Sequence, residues 1–287
     1  MKIQMNPKKF DLIVVNGDSF TDGAGCSDQY KLENNLTNLI SIGWADFLAE
    51  RLNIPLVNLA KGGSSNDAIM RRSVDFIESK NIFWHHPLES NTIINTNSKI
   101  LFITQYSFLH RINISLFKEG INYQINNKPD DIILSEIKRA GHSENASKIF
   151  RGIDLLSEGY HFLSDFYLNS NDFVFKYFMY NSYFKNNPNI LHLNWLFLPF
   201  SYDKIQFEDL KKSELDYDKG IFQCESKLSN FDFNVINRND VNMFDMKTCT
   251  TETNGLIDDT HFGLNSNKLM AERLYNHLNN SYGIQQI

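Results

Sequence analysis

Three short stretches carry the residue types that acyl-transfer chemistry needs. "GDSF" places Ser19 after Asp18, "NLAKGG" brings Gly62 and Gly63, and "DDTH" sets Asp258 three residues before His261. A serine hydroxyl becomes a useful nucleophile only when an imidazole within about 3 Å takes its proton. The imidazole needs its second nitrogen held by a carboxylate, which fixes the tautomer and stabilises the imidazolium. An Asp three residues before a His can fold back across one tight turn to do this. The oxyanion that develops then needs preorganised donors, and glycine lets a backbone N–H come close. Asp259 competes for the orienting role. Each motif also has a plain reading. "GDSF" is a strand-to-loop turn with Ser19 as a cap, Gly62-Gly63 is a βα turn, and Asp-Asp-Thr is a good entry to a helix.

Residues so far apart in the chain meet only if the fold delivers them to one edge. "DLIVVN" is a continuous apolar run that stops at Gly17, the pattern of a strand buried on both faces. "IPLVNLA" reads as a second strand, "SKILFITQYS" as a third and "NILHLNWLFLPF" as a fourth, with a short apolar stretch at Val241–Phe244 as a fifth. Helical spacing joins Leu36, Ile40, Trp44, Phe47, Leu48 and Leu52 between the first two strands. Ser64, Ser65 or Asn66 caps the next helix, "DAIMRRSVDFIESK". A long aromatic helix is predicted over 159–187, its rings read as core, and "HFGLNSNKLMAERLYNHLNN" closes the chain as a helix. Strands alternating with helices imply parallel βαβ units and a sheet covered on both faces. Ligands of such sheets collect outside the carboxyl ends of the strands, where Ser19, Gly63 and the "TQYS" tip all fall. Residues 81–97 read as an elaborated loop. Residues 113–157 mix a strand, "INYQIN", with a helix, "DDIILSEIKRA".

The 287 residues, 42% of them hydrophobic and 13% aromatic, suit one large domain with a substantial core. Net charge is −6 with acids and bases interspersed, which argues against a nucleic-acid footprint. Cys26, Cys224 and Cys249 are widely spaced and odd in number, so neither a disulfide framework nor a zinc site is indicated. Cys26 is read as a small buried residue near the site. His85-His86 has no acidic partner at ligand spacing, and no metal is expected. His192, within the fourth strand, is read as a satisfied core residue. "GDSFTDGAG" lacks the Walker lysine and the GxGxxG spacing of nucleotide binders. No apolar run is long enough to span a bilayer, and the first residues do not continue into a signal-peptide core. The expectation is a cytoplasmic protein without membrane insertion.

Taken in order, "GDSF", "NLAKGG" and "DDTH" resemble blocks of the SGNH (GDSL-type) hydrolases. The resemblance implies an α/β fold, a three-layer α/β/α sandwich with a five-stranded parallel sheet of flavodoxin-like type. It covers residues 1–287 as a single domain, with insertions at about 81–97 and 113–160 forming a rim or lid. It implies ester hydrolysis without metal or cofactor, with Ser19 as nucleophile, His261 as base and Asp258 as its orienter. Gly63, five residues after Asn58, would lend an oxyanion-hole amide beside that of Ser19. The family's third block, Gly-x-Asn-Asp, is absent. In its place stands "TQYSFLHR", which looks like a divergent branch with Tyr106, Ser107 and Arg111 in a pattern of aromatic, Ser/Thr and Arg. There Gln105 or Ser107 would supply the missing donor, and Tyr106 and Arg111 would contact substrate. The implied function is a serine esterase acting through an acyl-enzyme, carbohydrate O-deacetylation being one form, on a small-molecule or glycan ester. An O-acyltransferase with the same triad and a catalytically degenerate binding or assembly module are the alternatives.

Overall fold

The computed structural model describes residues 10–27, 30, 34, 41–79, 98–107, 113–116, 121–124, 134–135, 137–138, 142–167, 170–196, 236, 252–253, 256–257 and 261–284. Its centre is a four-stranded parallel sheet of β1 (Leu12–Asn16), β2 (Leu56–Asn58), β3 (Ile100–Tyr106) and β6 (Ile190–Leu196), in the order β2-β1-β3-β6. The register pairs Val14 with Val57 on one side and with Phe102 on the other, and Phe102 in turn with His192. The fifth strand expected at Val241–Phe244 lies outside the described residues. Four helices cover the sheet: α2 (Trp44–Leu52), α3 (Asn66–Ser79), α5 (Ser170–Lys185) and α6 (Leu264–Tyr282).

Alternation along the strands explains the layering. Ile13, Val15, Leu101, Ile103, Leu193 and Trp195 point to one face, where Trp44, Leu48 and Leu52 of α2 meet Met270, Leu274 and Leu278 of α6. Leu12, Val14, Phe102 and Tyr106 point to the other, against Met70 and Phe76 of α3 and Tyr177, Tyr180 and Phe184 of α5. The result is the three-layer α/β/α arrangement. Both faces are apolar, so β1 and the first half of β3 read as unbroken hydrophobic runs rather than alternating ones, while β6 carries the buried polar residues His192 and Asn194. At about 1.5–3 kcal/mol for each fully buried large side chain, these two cores are the main driving force.

Chain direction decides where a site can form. From β1 the chain steps to β2 on one flank, then crosses back to β3 on the other flank of β1. With right-handed crossovers, these opposite steps place α2 and α3 on opposite faces of the sheet. The loops leaving β1 and β3 therefore diverge, and the tip of β1 faces the crevice at this switch point.

Three boundaries differ from expectation. The helix before β2 does not run back through 41–43: Gly43 is its N-cap, extended at φ −146°, and donates its N–H to the Asp46 side chain at 2.9 Å. Leu36 and Ile40 lie outside the described residues. The aromatic helix predicted as one piece is two, α4 (Ala146–Tyr167) and α5, and the first starts well before Gly159. An amphipathic pattern with Ala146 and Ile153 packed on Ile137 extends α4 backward, into the segment expected to be an insertion. That segment also holds an antiparallel hairpin, β4 (Asn113–Leu116) with β5 (Ile121–Gln124). A second small pair, β7 (Glu252–Thr253) and β8 (Leu256–Ile257), precedes α6. Residues 81–97 and Arg111 are outside the described residues.

Candidate active site

The nucleophile position is built by one helical turn. After Asn16 and Gly17, Asp18 caps α1 (Ser19–Asp22), its Oδ1 accepting the Phe20 N–H at 3.1 Å. Gly23, at φ 85°, ends the turn at once and donates its N–H to the Ser19 carbonyl. Only a residue tolerant of the left-handed region fits there, because a side chain would meet the Ile42 carbonyl. The turn therefore lifts Ser19 to the end of β1 and then sends the chain away. Gly17 is required for space: a Cβ there would lie 2.8 Å from Thr21 Cβ and would also strike Thr21 Oγ1.

Ser19 Oγ and His261 Nε2 are 2.8 Å apart, although the residues are separated by almost the whole chain. Ser19 is 8% exposed, reachable yet largely withdrawn from water. His261 is half-buried, with the Phe20 ring tilted against it at 5.0 Å between centroids. Phe20 also contacts Phe262 at 5.5 Å, so the residue after the serine packs against the histidine and its neighbour. Behind them stands Asn267 of α6. Its Nδ2 donates to the carbonyls of Phe262 and Gly263, at 2.9 and 3.0 Å, and its Oδ1 accepts the Trp44 N–H at 2.9 Å. One buried amide thus anchors the segment following His261 and caps α2. Asp258, Asp259 and Thr260 lie outside the described residues.

Asp18 is wholly buried and is the hub of the tip. Its Oδ2 accepts the Ser107 hydroxyl at 2.8 Å, and its Oδ1 also accepts from Gln105 Nε2 at 3.3 Å. The other end of the Gln105 amide accepts from Thr21 Oγ1. Both side chains expected to replace the missing oxyanion donor are therefore bonded to the carboxylate beside the nucleophile. Tyr106 turns to the opposite face, only 2% exposed, where its hydroxyl donates to Asn194 Oδ1 at 2.9 Å. Burial raises its pKa well above the ordinary tyrosine value. It sits in the α5-side core rather than at the site edge.

The second strand end supplies the turn Lys61–Ser64, in which Gly63 has φ 72° and Ser64 N–H donates to the Lys61 carbonyl at 3.2 Å. The backbone here comes close to the nucleophile: a Cβ on Gly62 would be 3.8 Å from Ser19 Cβ. Asn58 fastens this strand end to α1, donating from Nδ2 to the Thr21 carbonyl at 3.0 Å and accepting the Ala60 N–H at 2.9 Å. Of the three possible caps for α3, Ser65 fills the role, its Oγ accepting the Ala68 N–H at 3.3 Å. Asn66 instead clamps the β3 tip, accepting the Ser107 N–H at 2.7 Å and donating to the Ser107 carbonyl at 3.0 Å.

The sequence patterns miss this polar scaffold. Asn16, Asn58 and Asn66 stand at element ends, Asn267 in the first turn of α6 and Arg72 inside α3, and none belongs to an apolar period. The one signal shared by the first two is position, the last residue of a strand. Cys26 is fully buried, and His192 is buried with Nε2 2.8 Å from Thr104 Oγ1. Among the described residues no group of three or more His, Cys, Asp and Glu side chains is placed to hold a metal ion, and no helix is long and apolar enough to cross a membrane.

By sequence, the chain matches no family profile and no curated protein. Among solved structures it is similar to phospholipase A1 from Streptomyces albidoflavus NA297, at 8% identity over 95% of this chain and 100% of that one, with a TM-score of 0.45. A family two carbohydrate esterase from Clostridium thermocellum gives 13% identity over 97% of this chain and 67% of that one, with a TM-score of 0.44. A G-D-S-L family protein from Desulfitobacterium hafniense DCB-2 gives 11% identity over 93% and 99%, with a TM-score of 0.41. Overlap of this degree says nothing of substrate or mechanism, which must come from the side chains.

Proposed function

We propose that this chain is a serine ester hydrolase, and the observation that carries the proposal is the 2.8 Å contact between Ser19 Oγ and His261 Nε2. A hydroxyl within hydrogen-bond reach of a half-buried imidazole, at the switch point of a parallel sheet, is the arrangement that nucleophilic catalysis requires. In the proposed reaction His261 takes the Ser19 proton as Oγ bonds to the ester carbonyl carbon. The oxyanion is held by the Ser19 and Gly63 amides. His261 then returns the proton to the departing alkoxide as the carbon–oxygen bond breaks, leaving an acyl-enzyme. Water, activated by the same imidazole, releases the acid and restores Ser19. Asp258 is the proposed orienter of His261. Acyl esters are the proposed substrate class, with O-acetylated carbohydrate the first to try, and residues 81–97 and 113–160 the proposed rim. An acceptor alcohol in place of water would make the same steps an acyl transfer.

The test uses 4-nitrophenyl acetate and a fluorophosphonate label on the full chain. Ser19→Ala and His261→Gln are expected to lower hydrolysis by about 10,000-fold or more, and Ser19→Ala to abolish labelling. Absence of both hydrolysis and labelling in the wild-type protein would end the esterase reading. One observation favours the alternative of a catalytically silent binding module. Gln105 and Ser107 both spend side-chain donors on Asp18, and losing an oxyanion donor costs about 2.7–4 kcal/mol of transition-state stabilisation. That module would bind acylated ligands equally well with Ala at position 19.

A further inference from the structure

A single guanidinium ties together the two strand ends that carry the site. Arg72 lies in α3, one of two adjacent arginines in "MRRS". Its Nη2 donates to the Gly17 carbonyl at 3.1 Å, to Asn16 Oδ1 at 3.2 Å and to Ser64 Oγ at 2.8 Å. Its Nε donates to the Leu59 carbonyl at 3.0 Å. These acceptors belong to the tip of β1, the residue just beyond β2, and the turn Lys61–Ser64. The contact reaches the turn itself, because Ser64 Oγ also donates to the Lys61 carbonyl at 2.6 Å. Lys61 N–H donates to the Gly17 carbonyl at 3.3 Å, so one oxygen of the β1 tip serves both Arg72 and the turn. Asn16, the remaining acceptor, is itself fixed, donating to the Ile69 carbonyl at 2.7 Å and to Ser73 Oγ at 2.8 Å, both in α3.

Arginine suits this position for a geometric reason. Its planar fork presents donors in fixed directions, whereas a lysine ammonium is a point charge on a flexible stem. Burial lowers the Arg72 pKa to about 10, opposed by the nearby carboxylates of Asp22 and Asp18, so the group remains a cation at neutral pH. A charge withdrawn from water at such cost is tolerated where several acceptors replace the lost hydration.

We propose that Arg72 is a positioning residue that fixes the Lys61–Ser64 turn against the tip of β1, so that the Gly63 and Ser19 amides address one oxyanion. Its effect on rate rests on the esterase reading; its effect on the turn rests on the hydrogen bonds alone. The two are separable by experiment. Amide hydrogen exchange is measured in the full chain for wild type, Arg72→Lys and Ser64→Ala, alongside kcat and KM for 4-nitrophenyl acetate. Arg72→Lys is expected to speed exchange at Lys61 and Ser64, whose N–H groups are bonded to the Gly17 and Lys61 carbonyls, by about tenfold relative to Val14 and Ile103 in the strands. It is expected to lower kcat by about 10–100-fold with KM changed by less than about threefold, the mark of an interaction made in the transition state. Ser64→Ala removes one acceptor without stranding a charge and moves both readouts the same way by less. It decides the matter if Arg72→Lys does not fold. Exchange at Lys61 and Ser64 unchanged in the folded variants, or raised equally in the strands, overturns the proposal. So does unchanged kcat with the fold intact. A wild-type protein inert to substrate and to phosphonate would remove the esterase reading, and exchange alone would then decide the role of Arg72.

Discussion

Acid should destabilise this fold through one histidine. His192 lies in β6, 7% exposed, with its ring stacked on Phe184 at 4.0 Å between centroids and edge-on to Tyr180 at 5.2 Å. Its Nε2 meets Thr104 Oγ1, which is also hydrogen-bonded to the Tyr180 hydroxyl at 2.8 Å. Burial among these rings lowers its pKa from 6.5 to about 3. Below pH 6.5 the unfolded chain therefore binds a proton that the folded chain refuses until about pH 3. Where the unfolded state holds more protons, stability rises with pH. This contribution is thus intact above pH 6.5 and is lost progressively as the pH falls toward 3. Integration of that difference gives a loss of about 2 kcal/mol between pH 7 and pH 5. The assay is urea unfolding at both pH values for wild type and His192→Gln. Gln keeps a polar partner for Thr104 but neither the stack nor the titration. The variant is expected to be less stable at pH 7, yet to lose about 2 kcal/mol less than wild type on going to pH 5. Equal pH dependence in the two proteins would refute the reasoning, whatever their absolute stabilities.

Two further outcomes follow from the strand tips. Gly17→Ala forces a methyl into Thr21 and brings it 3.2 Å from Gln105 Cβ, so α1 must shift. A loss of about 1–3 kcal/mol in urea unfolding and slower phosphonate labelling at Ser19 are expected, and wild-type values in both would show that the tip has slack. Asn66→Ala takes a donor and an acceptor from the buried backbone of Ser107. It should cost about 2–4 kcal/mol in the same unfolding assay, and a cost below about 1 kcal/mol would mean that the β3 tip is held by other bonds.

The sequence makes the layers and the paired Ser19 and His261 legible for the same reason: both signals are local. A strand buried on both faces must be a run of apolar residues, and "LIVV" and "ILFI" are such runs whatever surrounds them. Ser19 and His261 are likewise recognisable because each stands directly beside an element that periodicity identifies, β1 and α6. What joins them is not local. Asn267 caps a helix 223 residues away, and Arg72 acts on acceptors that come together only after two crossovers have laid α3 against β1 and β3. Polar residues of this kind carry no period, and in a chain rich in asparagine their type adds little. The third strand end shows the same limit from the other side. "TQYS" offers Gln105 and Ser107 as donors to a substrate oxyanion, and their chemistry permits it. Asp18 is wholly buried, and a buried carboxylate is stable only where donors replace its lost hydration. Gln105 and Ser107 both bond to it. On the proposed esterase reading, an oxyanion at Ser19 would draw on backbone amides, and the rate would then depend on how closely the Arg72 hydrogen bonds fix the Lys61–Ser64 turn to the tip of β1.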